Sequence, residues 1–78
     1  MTRGMAQRAA SDTDAGLELA KRVRARRTHL DLTQLEVAGL AGVTPGTIYW
    51  LEREGRGSLA TLRAVARALE CPLGDLVV

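Results

Sequence analysis

Residues 33–52 read TQLEVAGLAGVTPGTIYWLE and predict two short helices joined by a tight turn. Thr33 is a good N-cap for the first of them, and Glu36 three residues later completes a capping box. Apolar residues then recur at helical spacing along this first helix. Gly42 stands where a left-handed residue would end it. This half of the stretch therefore predicts a short helix that ends in a sharp turn.

The second helix of the stretch has start signals of its own. Thr44 can serve as N-cap with Pro45 at the first helical position, where a missing N–H group costs nothing. Ile48 and Leu51 then fall on one inward face. The positions left mostly outward are Pro45, Gly46, Thr47, Tyr49, Trp50 and Arg53. This helix therefore offers one face to a core and the other to solvent or a partner.

The stretch resembles the helix-turn-helix of Cro and the phage repressors, the Xre/Cro-like family, and the resemblance runs from about Leu17 to Val78. The matching residues are Thr33-Gln34, Ala38, Gly42-Val43-Thr44, Thr47-Ile48, Leu51-Glu52, Ser58-Leu59, Thr61-Leu62, Ala66 and Ala68-Leu69. They keep nearly the family's spacing throughout. The resemblance implies an all-α fold, a compact five-helix lambda-repressor-like DNA-binding domain over residues 15–78.

The segments outside the central stretch complete this expectation. Residues 1–14 are small and polar with cancelling charges, which predicts a disordered N-terminal arm. Helix one is expected from about Ala15 to His29, helix four from Ser58 to about Glu70, and a short fifth helix after Pro72. Two apolar stripes should face the core. They are Leu17, Ala20 and Val23 in helix one, and Leu59, Leu62, Val65, Ala66 and Leu69 in helix four.

The resemblance also assigns a structural ion pair. It implies that Arg27 in helix one pairs with Glu52 in helix three, partly buried between the two helices. Asp31 stands where the family usually has Gly, so the turn there should form with some strain, because Asp adopts the left-handed conformation less readily than Gly does. The loop after Glu52 lacks the family's Pro and one residue, so it should close differently around Arg56.

The resemblance further implies that the helix over residues 44–53 enters the major groove of double-stranded DNA. The base-facing positions would be Pro45, Gly46, Thr47 and Trp50, with Tyr49 beside them. The candidate phosphate contacts are Thr33, Gln34, Arg26, Arg53 and Arg56. Pro45 and Gly46 carry no polar side-chain group, and Trp50 can pack on a thymine methyl group. We therefore expect sparse direct readout, with more of the recognition left to phosphates and DNA shape.

Tyr49 and Trp50 allow other interpretations. An aromatic pair on a helix is often core, and Trp and Tyr are also typical anchors of protein interfaces. Leu40 lies where the family commonly has a polar residue, so it could belong to a partner surface. The alternative function is a protein-interaction module on the same fold, an antitoxin or adaptor that uses these three residues.

Composition bounds the remaining possibilities. The chain has 78 residues and a net charge of +2, but residues 17–32 hold five basic residues against two acidic ones, a local charge of +3. One cysteine excludes an internal disulfide, and no transmembrane or secretory segment is apparent, so a cytoplasmic location is expected. No catalytic set, metal-ligand cluster or phosphate loop is present. We therefore expect a homodimeric transcription regulator, most simply a repressor, without enzymatic activity or cofactor.

Overall fold

A computed structural model describes the backbone of residues 2–77 and the side chains of residues 15–77. This part of the chain contains four α-helices, one 3₁₀ turn and no strand. The helices are α1 (Thr2–His29), α2 (Gln34–Ala41), α3 (Pro45–Glu54) and α4 (Leu59–Ala68), and the 3₁₀ turn is Leu73–Asp75. The all-α class expected from the sequence is confirmed.

The predicted fifth helix is wrong, because the structure has only a single 3₁₀ turn there. Pro72 precedes the turn with an extended backbone, at φ −64° and ψ 148°. The backbone N–H groups of Asp75 and Leu76 donate to the carbonyl oxygens three residues before them, at 3.0 and 2.9 Å. Such bonds define 3₁₀ geometry, which is used for short pieces. One turn is enough to place Leu76, which is 1% exposed, in the core.

The start of α1 also differs from the expectation. The backbone is helical from Thr2, whereas the sequence predicted a start at about Ala15. The division into an arm over residues 1–14 and a domain over residues 15–78 stays a prediction. Residues 2–14 contain no proline to stop a helix and include several alanines, the best helix formers. Extending an existing helix avoids the cost of nucleation. That residues 1–14 are dispensable for folding stays a prediction.

The predicted capping signals shape the centre of the fold. The Thr33 hydroxyl accepts a hydrogen bond from the Glu36 N–H at 3.0 Å, and the Glu36 carboxylate accepts one from the Thr33 N–H at 2.8 Å. Gly42 ends α2 in the left-handed conformation with φ 72°. The Thr44 hydroxyl accepts from the Thr47 N–H at 3.2 Å and caps α3. The helix-turn-helix is therefore confirmed.

The core lies where the four helices and the 3₁₀ turn meet. Its buried members are Leu19, Val23, Val37, Ala38, Ile48, Leu51, Leu62, Val65, Ala66, Leu69 and Leu76. Two leucines assigned to the core stripes are instead exposed, Leu17 by 46% and Leu59 by 55%. Leu17 precedes the buried Leu19 by two residues, and a helix turns about 100° per residue, so the two side chains point in nearly opposite directions. Leu59 is the first residue of α4, at the edge of the core.

Two glycines let α1 pass very close to the end of α3. Gly55 ends α3 in the left-handed conformation with φ 70°, and a Cβ atom there would collide with the carbonyl group of Gly16 in α1. A Cβ atom on Gly16 would in turn lie 3.1 Å from the carbonyl oxygen of Glu54. Because neither residue has a side chain, the carboxyl-terminal end of α3 can lie this close to α1.

Candidate nucleic-acid interface

A buried ion pair also holds α3 against α1. Arg27 donates from Nε to Glu52 Oε2 at 2.6 Å and from Nη2 to Glu52 Oε1 at 2.9 Å. Glu52 is 2% exposed. The hydrogen bond to Glu52 raises the pKa of the Arg27 guanidinium above its ordinary value. The Arg27 guanidinium therefore stays charged, and its two hydrogen bonds to Glu52 tie α3 to α1.

Two further side chains reach Glu52. Gln34 donates from Nε2 to Glu52 Oε1 at 3.1 Å, and Arg24 donates from Nη2 to the backbone carbonyl oxygen of Glu52 at 2.9 Å. The Gln34 amide still has a second N–H, so its contact with a phosphate stays a prediction. Sequence reasoning missed Arg24. The available signal was its position three residues before Arg27, on the same side of α1.

Arg26, another predicted phosphate contact, is used within the fold. Its Nε donates to the carbonyl oxygen of Leu69 at 3.0 Å, and its Nη2 donates to that of Glu70 at 3.2 Å. These carbonyls lie just past the carboxyl end of α4, where the helix leaves acceptors without intrahelical partners. Arg26 therefore ties α1 to α4, and the structure does not bring it together with the exposed side of α3.

The side of α3 opposite the core carries the aromatic pair. Tyr49 is 43% exposed and Trp50 46%, whereas Ile48 and Leu51 are fully buried. The two rings meet edge to face, with centroids 5.2 Å apart and planes at 83°. Neither ring is part of the core, so the interpretation of the pair as core packing is wrong.

An arginine side chain lies over each of the two aromatic residues. The Arg53 guanidinium carbon lies 5.9 Å from the centroid of the Tyr49 ring, and that of Arg56 lies 5.9 Å from a ring of Trp50. Such cation–π contacts contribute roughly 0.5–1 kcal/mol at exposed sites. We call these four residues together with Thr47 the α3 surface. A shallow depression of about 490 Å³ opens in it, lined by Thr47, Trp50, Arg56 and Gly57.

The amino-terminal end of α3 offers few polar groups. Pro45 and Gly46 are exposed, and Thr47 is half-buried. The Thr47 hydroxyl already shares a hydrogen bond of 2.9 Å with the hydroxyl of Thr44. Thr33, the remaining predicted phosphate contact, is exposed at the start of α2, where its hydroxyl serves the capping box. The polar and charged groups of the α3 surface therefore concentrate towards its carboxyl-terminal end, at Arg53 and Arg56.

Other chemistry finds little support in the described side chains. Among residues 15–77, no three His, Cys, Asp or Glu side chains cluster as a metal site would require. Cys71 is half-buried beside the core, and burial raises the pKa of its thiol, which disfavours the reactive thiolate. A search of the described helices for one long and apolar enough to cross a membrane finds none.

Comparison with known families places the chain. Residues 23–76 match a family model described as helix-turn-helix. The chain therefore belongs to the Cro/C1-type helix-turn-helix family, whose members are DNA-binding transcription regulators. The matched range contains α2, α3 and α4 with the 3₁₀ turn, and also both partners of the Arg27–Glu52 pair.

Solved structures show the same fold. The restriction-modification controller protein C.AhdI from Aeromonas hydrophila is 30% identical with a TM-score of 0.73, over 77% of this chain and 92% of that one. The clp gene regulator ClgR from C. glutamicum is 28% identical with a TM-score of 0.72, over 80% and 82%. Apo-HppE is 27% identical with a TM-score of 0.72, over 82% of this chain but only 36% of its own. A search among curated protein sequences gives no match.

Proposed function

We propose that this protein binds specific sequences in double-stranded DNA as a homodimer and inserts α3 into the major groove. The observation that carries the proposal is the α3 surface, where two exposed aromatic side chains each make a cation–π contact with an arginine. A helix about 10–12 Å across fits a groove about 12 Å wide. The buried Arg27–Glu52 pair supports the proposal because it orients this surface rigidly.

The residues of the α3 surface would contact different parts of the DNA. Trp50, with Tyr49 beside it, would pack on thymine methyl groups and sugars, and the Thr47 side chain adds a methyl group. Arg53 and Arg56 would pair with phosphates, and Gln34 would add a contact at the start of α2, where backbone N–H groups also face outward. Pro45 and Gly46 would allow close approach to the bases without polar contacts. Recognition would then rest largely on apolar contacts, phosphates and DNA shape.

Occupying a promoter would block transcription without a further surface, so we propose repression as the simplest mode of regulation. Such a regulator would work in the cytoplasm, where its DNA is. The names of C.AhdI and ClgR, a controller protein and a gene regulator, support the regulatory role. The likeness to HppE concerns little more than a third of that chain and gives no reason to propose an enzyme.

Selection of bound duplexes from a random pool tests the proposal, followed by a comparison of Trp50→Ala with Leu40→Ala. Both residues are exposed, but only Trp50 belongs to the α3 surface. Losing a base contact costs about 1–3 kcal/mol, so Trp50→Ala should weaken binding to the selected sequence by about 5- to 150-fold and binding to random duplex far less. Leu40→Ala should leave both affinities unchanged. Failure to enrich any sequence at low salt would contradict the proposal.

One observation favours a second candidate, the protein-interaction module. Leu35 is 68% exposed and Leu40 65%, in addition to the two exposed rings of α3. Large exposed apolar side chains mark protein interfaces when they are contiguous. If Trp50→Ala and Leu40→Ala both abolish binding to a protein partner while binding to the selected duplex stays at the wild-type level, the antitoxin or adaptor function replaces DNA binding by α3.

A further inference from the structure

An acidic residue, Glu54, lies beside the carboxyl-terminal end of the α3 surface, where its charge is unfavourable. Glu54 is the last residue of α3, and its Oε1 lies 3.0 Å from Nη1 of Arg56. A negative charge at the carboxyl end of a helix is unfavourable because the helix dipole is negative there. If DNA binds this surface, a carboxylate beside the phosphates is unfavourable as well. The contact with Arg56 is therefore the feature of Glu54 that needs an explanation.

Arg56 is held from two sides. Its guanidinium lies against Trp50 and pairs with Glu54, yet its side chain is still 70% exposed. Arg53 provides a natural comparison, because it lies at the same distance from the Tyr49 ring. Among residues 15–77, no carboxylate is within ion-pair distance of Arg53. Two similar arginine–aromatic pairs thus differ in one respect, the presence of an acidic partner.

We propose that Glu54 is an internal competitor that a DNA phosphate must displace from Arg56. This inference rests on the proposed function. In the free protein Glu54 neutralises Arg56 and, with Trp50, holds the guanidinium beside the depression at Thr47 and Gly57. On binding, a phosphate takes the place of the Glu54 carboxylate, while Trp50 keeps the guanidinium in position. Glu54 thereby lowers the affinity for all duplexes and leaves discrimination to contacts such as that of Trp50.

The effect of Glu54 on the affinity should be small, and the salt dependence should report on Arg56. Exposed ion pairs of this kind are weak, so freeing Arg56 should strengthen binding about two- to fivefold. Each phosphate neutralised contributes about 0.9 to the slope of log K against log salt concentration. Glu54→Gln should therefore tighten binding to specific and random duplexes alike with little change in the slope, because Arg56 neutralises the same phosphate once Glu54 is displaced. Arg56→Ala should make the slope shallower by about 0.9.

A double-mutant cycle tests the inference with the full chain and the duplex selected by the wild-type protein. The variants are Glu54→Gln, Arg56→Ala and the two together. Glu18→Gln is the matched control, because it breaks another exposed Glu–Arg pair, with Arg22 at 3.4 Å, away from α3. We expect Glu54→Gln to tighten binding in the wild-type background, and to have no more effect than Glu18→Gln in the Arg56→Ala background. Equal melting temperatures would show that the variants fold alike.

Two outcomes would overturn the inference in distinguishable ways. If Glu54→Gln tightens binding equally in both backgrounds, Glu54 acts by general repulsion, and the competition for Arg56 is wrong although DNA binding stands. If the wild-type protein enriches no duplex at low salt, the proposed function fails and the inference fails with it.

Discussion

Glu52 is the residue on which the arrangement of α1 and α3 most depends. Its carboxylate is buried, and it accepts hydrogen bonds from Arg27 and Gln34. Such a pair adds little net stability compared with an apolar pair of the same size, because both charges lose their hydration. Its value here is geometric, because the two oxygens of Glu52 bind side chains of α1 and α2 and so hold α3 against both helices.

We predict that Glu52→Gln destabilises the fold by about 3–5 kcal/mol, because the largely buried Arg27 would keep its charge without a counter-charge. Urea unfolding followed by circular dichroism measures this loss. Glu18→Gln is the control: it breaks an exposed pair and should cost about 0–1 kcal/mol. If Glu52→Gln unfolds at the same urea concentration as that control, the Arg27–Glu52 pair does not form in solution.

Gly55 and Gly42 allow a second comparison of single residues. Both have a left-handed backbone, with φ of 70° and 72°. Gly42→Ala should cost about 1–2 kcal/mol, because a Cβ atom at that position meets open space and only the backbone is strained. Gly55→Ala should cost about 1–3 kcal/mol more, because its Cβ atom would overlap the backbone of Gly16 in α1. Thermal unfolding measures both, and equal losses would contradict the close contact of α1 with α3.

Local and long-range contacts differ in how far they could be predicted. The capping box of Thr33 and Glu36 joins residues three positions apart, so its partners can be read directly from the sequence. Arg24 and Arg26 donate to backbone carbonyl oxygens that lie 28 and 43 residues further along the chain. Nothing in their local pattern selects these acceptors, and long side chains can reach several of them. The resemblance to a family supplied Arg27–Glu52, but it supplied neither of these two.

The same difference appears at the scale of helices and turns. The positions of α2 and α3 followed from strong start and stop signals, because Gly42 and Pro45 allow few alternatives. The ends of the chain lack such signals. Whether residues 2–14 continue α1 depends on a small difference between helix propensity and chain entropy, which composition alone does not determine. After Pro72 the sequence predicted a short fifth helix, but its apolar residues do not distinguish an α-helix from the 3₁₀ turn that forms.

The extension of α1 leads to a prediction for this element. Deleting residues 1–14 should leave one cooperative unfolding transition, because the described core begins at Leu19 and the contact between Gly16 and Gly55 is retained. The helical signal in circular dichroism should fall only by the share of the residues removed. The full-length protein is the control. Loss of cooperativity, or a larger loss of helix, would show that the extension stabilises the domain.

At the scale of the whole molecule, a small domain buries only a limited apolar area in its core. Chains of about 60 residues bury only about 60% of the surface they expose when unfolded, and a dimer adds buried area. A dimer would also place two copies of the α3 surface on DNA. Two recognition helices on one face of the duplex need half-sites about 34–36 Å apart, one helical turn. The size of the domain and the proposed mode of recognition thus favour the same assembly.

We predict that the selected duplexes contain two inverted half-sites with centres about 10–10.5 base pairs apart. The 3₁₀ turn and the loop before it should form the dimer contact, where Val77 is exposed beside the buried Leu76. Val77→Asp should therefore shift sedimentation towards the monomer and weaken binding to the paired site, but not to a single half-site. Leu40→Asp introduces the same charge on α2 and should leave the dimer intact. A wild-type monomer that selects single half-sites would contradict the dimer, and dissociation by Leu40→Asp alone would move the contact to α2.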